Sequence, residues 1–134
     1  MTKLEEIEGI GPAFAGKLRA AGVRSVAALL GQGATRAGRK RIAEESGVSG
    51  DRVLEWVNHA DLMRIRGVGS EFADLLEAAG VDSVPELAAR NAANLTAALA
   101  AANADKKLVR RLPAESEVAR WVAQAAAMER AVHH

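Results

Sequence analysis

The chain has 134 residues, 49% apolar but only 3% aromatic, with no cysteine and with 18 basic against 17 acidic side chains, a net charge of +1. The missing cysteine excludes disulfides and thiolate metal or redox sites, and a cytoplasmic setting is expected. Near-neutral charge weighs against a dedicated nucleic-acid binder unless the charges are segregated, and no stretch approaches the roughly twenty apolar residues of a membrane span.

Abundant alanine and the lack of an alternating apolar run predict an all-α fold. Thr2 with Glu5 reads as a capping box that opens a short helix. Gly9 and Gly11 end it, since glycine admits the positive φ of a tight reversal. Pro12 suits the first turn of a second helix, on which Phe14, Leu18 and Ala21 share one face. Gly22 closes that helix as its C′ residue, with Val23 the apolar residue beyond. Ser25, Thr35 and Ser49 are N-cap candidates for three further helices. The last of these carries the stripe Val53, Trp56, Val57 and Ala60, and is expected to run directly into a second copy of the whole arrangement.

That second copy is read by self-comparison. At an offset of 58, residues 7–30 match residues 65–88 at 13 of 24 positions without a gap. At an offset of 65, Val53, Trp56, Val57, Ala60 and Met63 match Val118, Trp121, Val122, Ala125 and Met128. The growth from 58 to 65 places seven extra residues in copy two, expected around residues 109–113. A duplication follows. Phe72, Leu76 and Ala79 repeat the apolar face, Gly80 and Val81 the helix end, and Ser83 with Glu86 a capping box. Trp56 and Trp121 are expected to anchor the core.

Both copies carry apolar-x-x-apolar-x-Gly-apolar-Gly with alanine four residues later. The first is Leu4, Ile7, Gly9, Ile10, Gly11 and Ala15; the second is Leu62, Ile65, Gly67, Val68, Gly69 and Ala73. The pattern resembles the helix-hairpin-helix motif of DNA repair and replication proteins. Its extension, GVxSVxxL and then IAEESGVSGDRVLEWVNHA, is similar to the N-terminal domain of archaeal and eukaryotic RecA-like recombinases. Ile42, Gly47, Val48 and Ser49 are similar to the degenerate second hairpin of that domain. The whole chain resembles a bacterial family of uncharacterised function with tandem helix-hairpin-helix repeats. This implies two repeats, residues 1–61 and 62–134, packed as one compact pseudo-symmetric unit. It also implies hairpin amides that contact phosphates of double-stranded DNA without reading sequence, and hairpin carbonyls that sometimes hold a monovalent cation.

The physics agrees with phosphate binding in outline, because first-turn N–H groups lack intrahelical partners and the helix dipole adds positive potential. The sequence departs from the resemblance where a basic residue is common, two positions past the second glycine: here stand Ala13 and Glu71. Lys17 and Arg19 follow hairpin one, and Arg64 and Arg66 flank hairpin two. Glu5, Glu6, Glu8, Asp74 and Glu77 oppose them. The alternative is that the glycines only make a compact reversal.

Two basic clusters recur, Arg36, Arg39, Lys40 and Arg41 before one Trp helix and Lys106, Lys107, Arg110 and Arg111 before the other. The 65-residue offset pairs Arg41 with Lys106, which predicts related patches able to follow a duplex backbone. The alternative is a solvated face balanced by Glu44, Glu45 and Asp51. His59 has no ligand at useful spacing and His133-His134 reads as a natural end or a tag remnant, so no metal site is expected. No lysine in the second hairpin and no convergent acid-base set point to a protein that is not an enzyme. Two functions remain, non-sequence-specific DNA binding in an accessory or architectural role, or a protein-interaction or self-association module.

Overall fold

The computed structural model describes residues 2–134, and every regular element in them is helical. A short 3-10 helix, Leu4–Glu6, leads into α1 (Pro12–Ala20), α2 (Val26–Gln32), α3 (Arg36–Ser46) and α4 (Gly50–Leu62). Then follow α5 (Ser70–Ala78), α6 (Val84–Ala88), α7 (Ala92–Lys106) and α8 (Glu115–Ala127). The chain divides into two units: one extends to Asp61 and takes in Ala131–His134, and the other is Leu62–Arg130.

In the first unit the opening cap lies one residue later than the Thr2–Glu5 pattern predicts. The Lys3 N–H donates to the Glu6 carboxylate at 2.9 Å, because the tight 3-10 turn closes from Leu4 to Ile7. α1 ends as its glycine predicts. The Gly22 N–H donates to the Arg19 carbonyl and the Val23 N–H to the Leu18 carbonyl, with Val23 and Leu18 both fully buried. The Ser25 hydroxyl accepts from the Ala28 N–H, Thr35 from Gly38 and Ser49 from Arg52, so α2, α3 and α4 each have a side-chain cap. The corner between α2 and α3 has no spare room: a methyl group on Gly38 would lie 2.0 Å from the Gln32 carbonyl oxygen. Leu18, Leu29, Ile42, Val53 and Val57 are fully buried.

In the second unit Ser83 caps α6 through the Glu86 N–H. The Glu86 carboxylate reaches the Asp82 N–H, at a long 3.5 Å, rather than the Ser83 N–H that a capping box requires. α7 has 15 residues where α3 has 11, and it ends on Lys107 with a φ of +53°. Asn103 pins the loop beyond by accepting from the Val109 N–H and donating to the Val109 carbonyl, at 2.9 and 3.1 Å. The extra length of this copy is therefore spread over α7 and residues 107–114, wider than the 109–113 expected. Leu75, Leu76, Leu87, Leu95, Leu99 and Val118 form the core between α5, α6, α7 and α8.

Candidate nucleic-acid interface

Each GxG segment makes a sharp reversal, closed by the Ile10 N–H on the Ile7 carbonyl and by the Val68 N–H on the Ile65 carbonyl, both at 3.1 Å. Only the first glycine of each uses the left-handed region: Gly9 and Gly67 have φ of +92°. Each lies against a tryptophan. A methyl group on Gly9 would stand 3.5 Å from Trp56 Nε1, and one on Gly67 would stand 3.0 Å from Trp121 Nε1. The indoles in turn hold the first-turn phenylalanines, Phe14 on Trp56 and Phe72 on Trp121, with ring centroids 5.2 and 5.3 Å apart. The tryptophans are buried as the apolar stripes predict, and the partner they buttress is the hairpin itself.

The second glycines differ from the expectation of paired positive φ. Gly11 (φ −82°, ψ −179°) and Gly69 (φ −91°, ψ −170°) are extended, a conformation open to any residue. Both are exposed, and a methyl group on either would meet nothing within 4 Å. They are also the N-caps of α1 and α5, and as glycines they contribute no side-chain cap. Ile10 and Val68 turn inward and are 3% and 4% exposed, so at those positions the hairpins offer backbone alone.

Cations gather on the phenylalanines. Lys17 Nζ lies 5.7 Å and Arg52 Cζ 4.8 Å from the Phe14 centroid; Arg111 Cζ lies 5.5 Å from that of Phe72. At the 65-residue offset the counterpart of Arg52 is Glu117, a reversed charge. Arg111, from the lengthened α7–α8 loop, binds Glu117 with both guanidinium nitrogens at 2.7 and 3.2 Å and so comes to the same place on its phenylalanine. That pairing, with the Ala114 N–H, holds the Glu117 carboxyl down at about 2. Acidic neighbours are partly engaged: Glu5 pairs with Arg19 at 2.8 Å, which lowers the Glu5 pKa and raises that of Arg19. Glu71 stays exposed in the first turn of α5.

Other expected site residues have structural employment. Arg64 donates to the Glu129 carbonyl at 3.2 Å. Arg66 is exposed, while its backbone N–H and carbonyl are both held by the Gln124 amide. Arg41 is tied to Glu45 and Gln32. Arg39 is not a surface contact: it is 8% exposed, and its guanidinium donates to the Gly33 and His133 carbonyls. Lys106, Lys107 and Arg110 are exposed. The predicted equivalence of the two clusters also fails. Arg36 to Arg41 begin α3, whereas Lys106 ends α7; the added length moved the basic residues to the other end of the corresponding helix.

An all-helical fold with two buttressed glycine reversals thus defines the class. The chain belongs to the family described as domain of unknown function (DUF4332), which matches residues 8–128. No curated protein and no solved structure matches it. Among the described residues, no helix is long and apolar enough to cross a membrane.

Proposed function

We propose that this chain binds double-stranded DNA without reading its sequence, in an accessory or architectural role and without catalysis. Its two reversals act as helix-hairpin-helix contacts to phosphate, and their carbonyls offer a place for a monovalent cation. The observation that carries the reading is the pair Gly11 and Gly69. Their conformations do not call for glycine and no neighbour crowds them, yet both units have glycine there. As N-caps they stand where glycine is preferred to alanine, and the same open backbone lets an external oxyanion approach the first-turn N–H groups closely.

Three features support the same reading. α2, α3, α4, α6 and α7 have a serine, threonine or asparagine cap and α8 begins on alanine with Glu117 reaching back to its N–H, whereas the N-caps of α1 and α5 are glycines that give no side-chain hydrogen bond at the positive end of the helix dipole. Each unit also sets a cation on the first-turn phenylalanine behind its hairpin. The remaining exposed lysines and arginines, with Lys106, Lys107 and Arg110 foremost, would follow the backbone nearby. A protein-interaction or self-association role has less in its favour: among the described residues, Leu112 is the exposed large apolar side chain, at 42%. Glu71, and the neutralisation of Arg111 by Glu117, give unit two the weaker phosphate site, so hairpin one carries more of the affinity.

Fluorescence anisotropy with a labelled random duplex tests this at about 50 and about 200 mM salt, since each phosphate that the protein neutralises adds roughly 0.9 to the slope of log K against log salt. Binding that weakens steeply between the two supports the proposal. No binding at the lower salt overturns it and favours a protein partner.

A further inference from the structure

Two arginines reach comparable places in the two units by different routes, and only one of them is engaged. Arg52, in the first turn of α4, sets its guanidinium 4.8 Å from the Phe14 centroid, and Lys17 approaches the same ring at 5.7 Å. Phe14 lies on Trp56, which stands against Gly9, so one aromatic stack ties both cations to the hairpin of unit one. Asp51 and Glu55 flank Arg52 on α4, but among the described residues neither Arg52 nor Lys17 has a carboxylate partner. The ring orders the Arg52 guanidinium without using its N–H donors, whose fork matches carboxylate and phosphate geometry.

Unit two has neither cation at the matching position. At the 58-residue offset Lys17 corresponds to Leu75, which is 1% exposed, and at the 65-residue offset Arg52 corresponds to Glu117. Arg111 comes to Phe72 instead, 5.5 Å from the centroid, and there the Glu117 carboxylate takes two of its N–H donors at 2.7 and 3.2 Å. Glu117 also accepts from the Ala114 N–H at 3.0 Å. A guanidinium fork with a backbone N–H at a helix start as further donor is a set that a phosphate oxyanion would equally take. In unit two the chain supplies that anion itself. A phosphate at Arg111 has to displace Glu117 or bind beside it against its repulsion. The pair lies at the surface, where ion pairs add little to stability, so the carboxylate can be removed with the fold intact.

We propose that Glu117 is an intramolecular substitute for phosphate that keeps Arg111 from DNA, so that hairpin two offers a duplex only its backbone N–H groups, whereas Arg52 is the side-chain phosphate contact of hairpin one. This rests on the DNA-binding reading. Duplex anisotropy of the full chain at about 50 and about 200 mM salt tests it with Glu117→Gln, whose amide oxygen still accepts from the Ala114 N–H. That variant should bind at least about threefold tighter than the parent at the lower salt and steepen the salt slope by about 0.9, one further phosphate neutralised. Glu115→Gln makes the same change in net charge at an exposed position that does not pair with Arg111, and should leave the slope near the parent's. Arg111→Gln should change nothing alone and should abolish the gain when combined with Glu117→Gln. Arg52→Gln should lower the parent's slope by about 0.9. No gain in Glu117→Gln, an equal gain in Glu115→Gln, a gain that survives Arg111→Gln, or an unchanged slope in Arg52→Gln would each overturn the proposal and leave the DNA reading standing. No binding by any of these chains at the lower salt would overturn both.

Discussion

Replacing Gly67 with alanine isolates what the hairpin geometry demands of its first glycine. Its φ of +92° is a conformation that costs an L-residue about 1–3 kcal/mol. The new methyl group would stand 3.0 Å from Trp121 Nε1 and 3.8 Å from its Cδ1. Trp121 is 2% exposed, so it yields only by disturbing the core, and overpacking of that kind adds about 1–3 kcal/mol. A loss of about 3 kcal/mol is expected for Gly67→Ala from the two effects together. Gly9 has the same φ but 3.5 Å of clearance to Trp56, which leaves the conformational cost alone, about 2 kcal/mol. Gly11→Ala and Gly69→Ala meet nothing within 4 Å. As N-caps they should lose only about 0.5–1 kcal/mol each, the preference for glycine over alanine at that position, offset in part by a restricted unfolded chain. Urea unfolding followed by circular dichroism and tryptophan fluorescence gives the four values. Trp56 and Trp121 fall one in each unit, so Trp56→Phe and Trp121→Phe backgrounds assign the transitions. Equal losses at Gly67 and Gly69, or no loss at Gly67, would refute the reasoning.

Further outcomes follow from the same geometry. Gly38→Ala forces a methyl group to within 2.0 Å of the Gln32 carbonyl oxygen and should destabilise the first unit by more than about 2 kcal/mol, as overpacking against backbone does; a neutral result in urea unfolding would contradict the close α2–α3 corner. Glu117 has a folded pKa depressed from 4.5 to about 2, so its pairing with Arg111 contributes fully above pH 4.5 and is lost as pH falls toward 2. Unfolding measured across that window should show Glu117→Gln losing less stability than the parent chain on acidification, and parallel profiles would dismiss the pair. Lys106→Glu with Lys107→Glu should weaken duplex binding and lower the salt slope by about 2 if both side chains neutralise phosphates. An unchanged slope would clear that end of α7 of any role.

The all-helical class and most helix ends are legible because local chemistry decides them. Gly22 and Gly80 close their helices by the hydrogen bonds that a C′ glycine followed by valine predicts, and Ser25, Thr35 and Ser83 cap as their spacing indicates. What stays hidden depends on residues distant along the chain. The burial of Arg39 requires the return of Val132 and His133 to the first unit, which no local pattern announces. Likewise, the cluster containing Arg36 matches that containing Lys106 only if the added length is confined to a loop, whereas α7 itself is longer. One signal is readable: Arg52 and Glu117 occupy matching positions with opposite charge, and Arg111 lies within reach of Glu117 in the same loop-helix segment. The buttressing of Gly9 and Gly67 by Trp56 and Trp121 has no such marker, since an apolar stripe shows that a side chain is buried and not what it faces.

DNA binding as proposed requires that Gly11 and Gly69 serve a ligand beyond their part as N-caps of α1 and α5. The double variant Gly11→Ala/Gly69→Ala, compared with the parent chain in duplex anisotropy at about 50 mM salt, where phosphate contacts are strong, tests that claim most directly. A fully folded double variant, its unfolding midpoints lowered only by the modest cost of alanine at an N-cap, and affinity at least about tenfold weaker, equivalent to about 1.4 kcal/mol, are the predicted pair of results. Unchanged affinity in a fully folded double variant would contradict it.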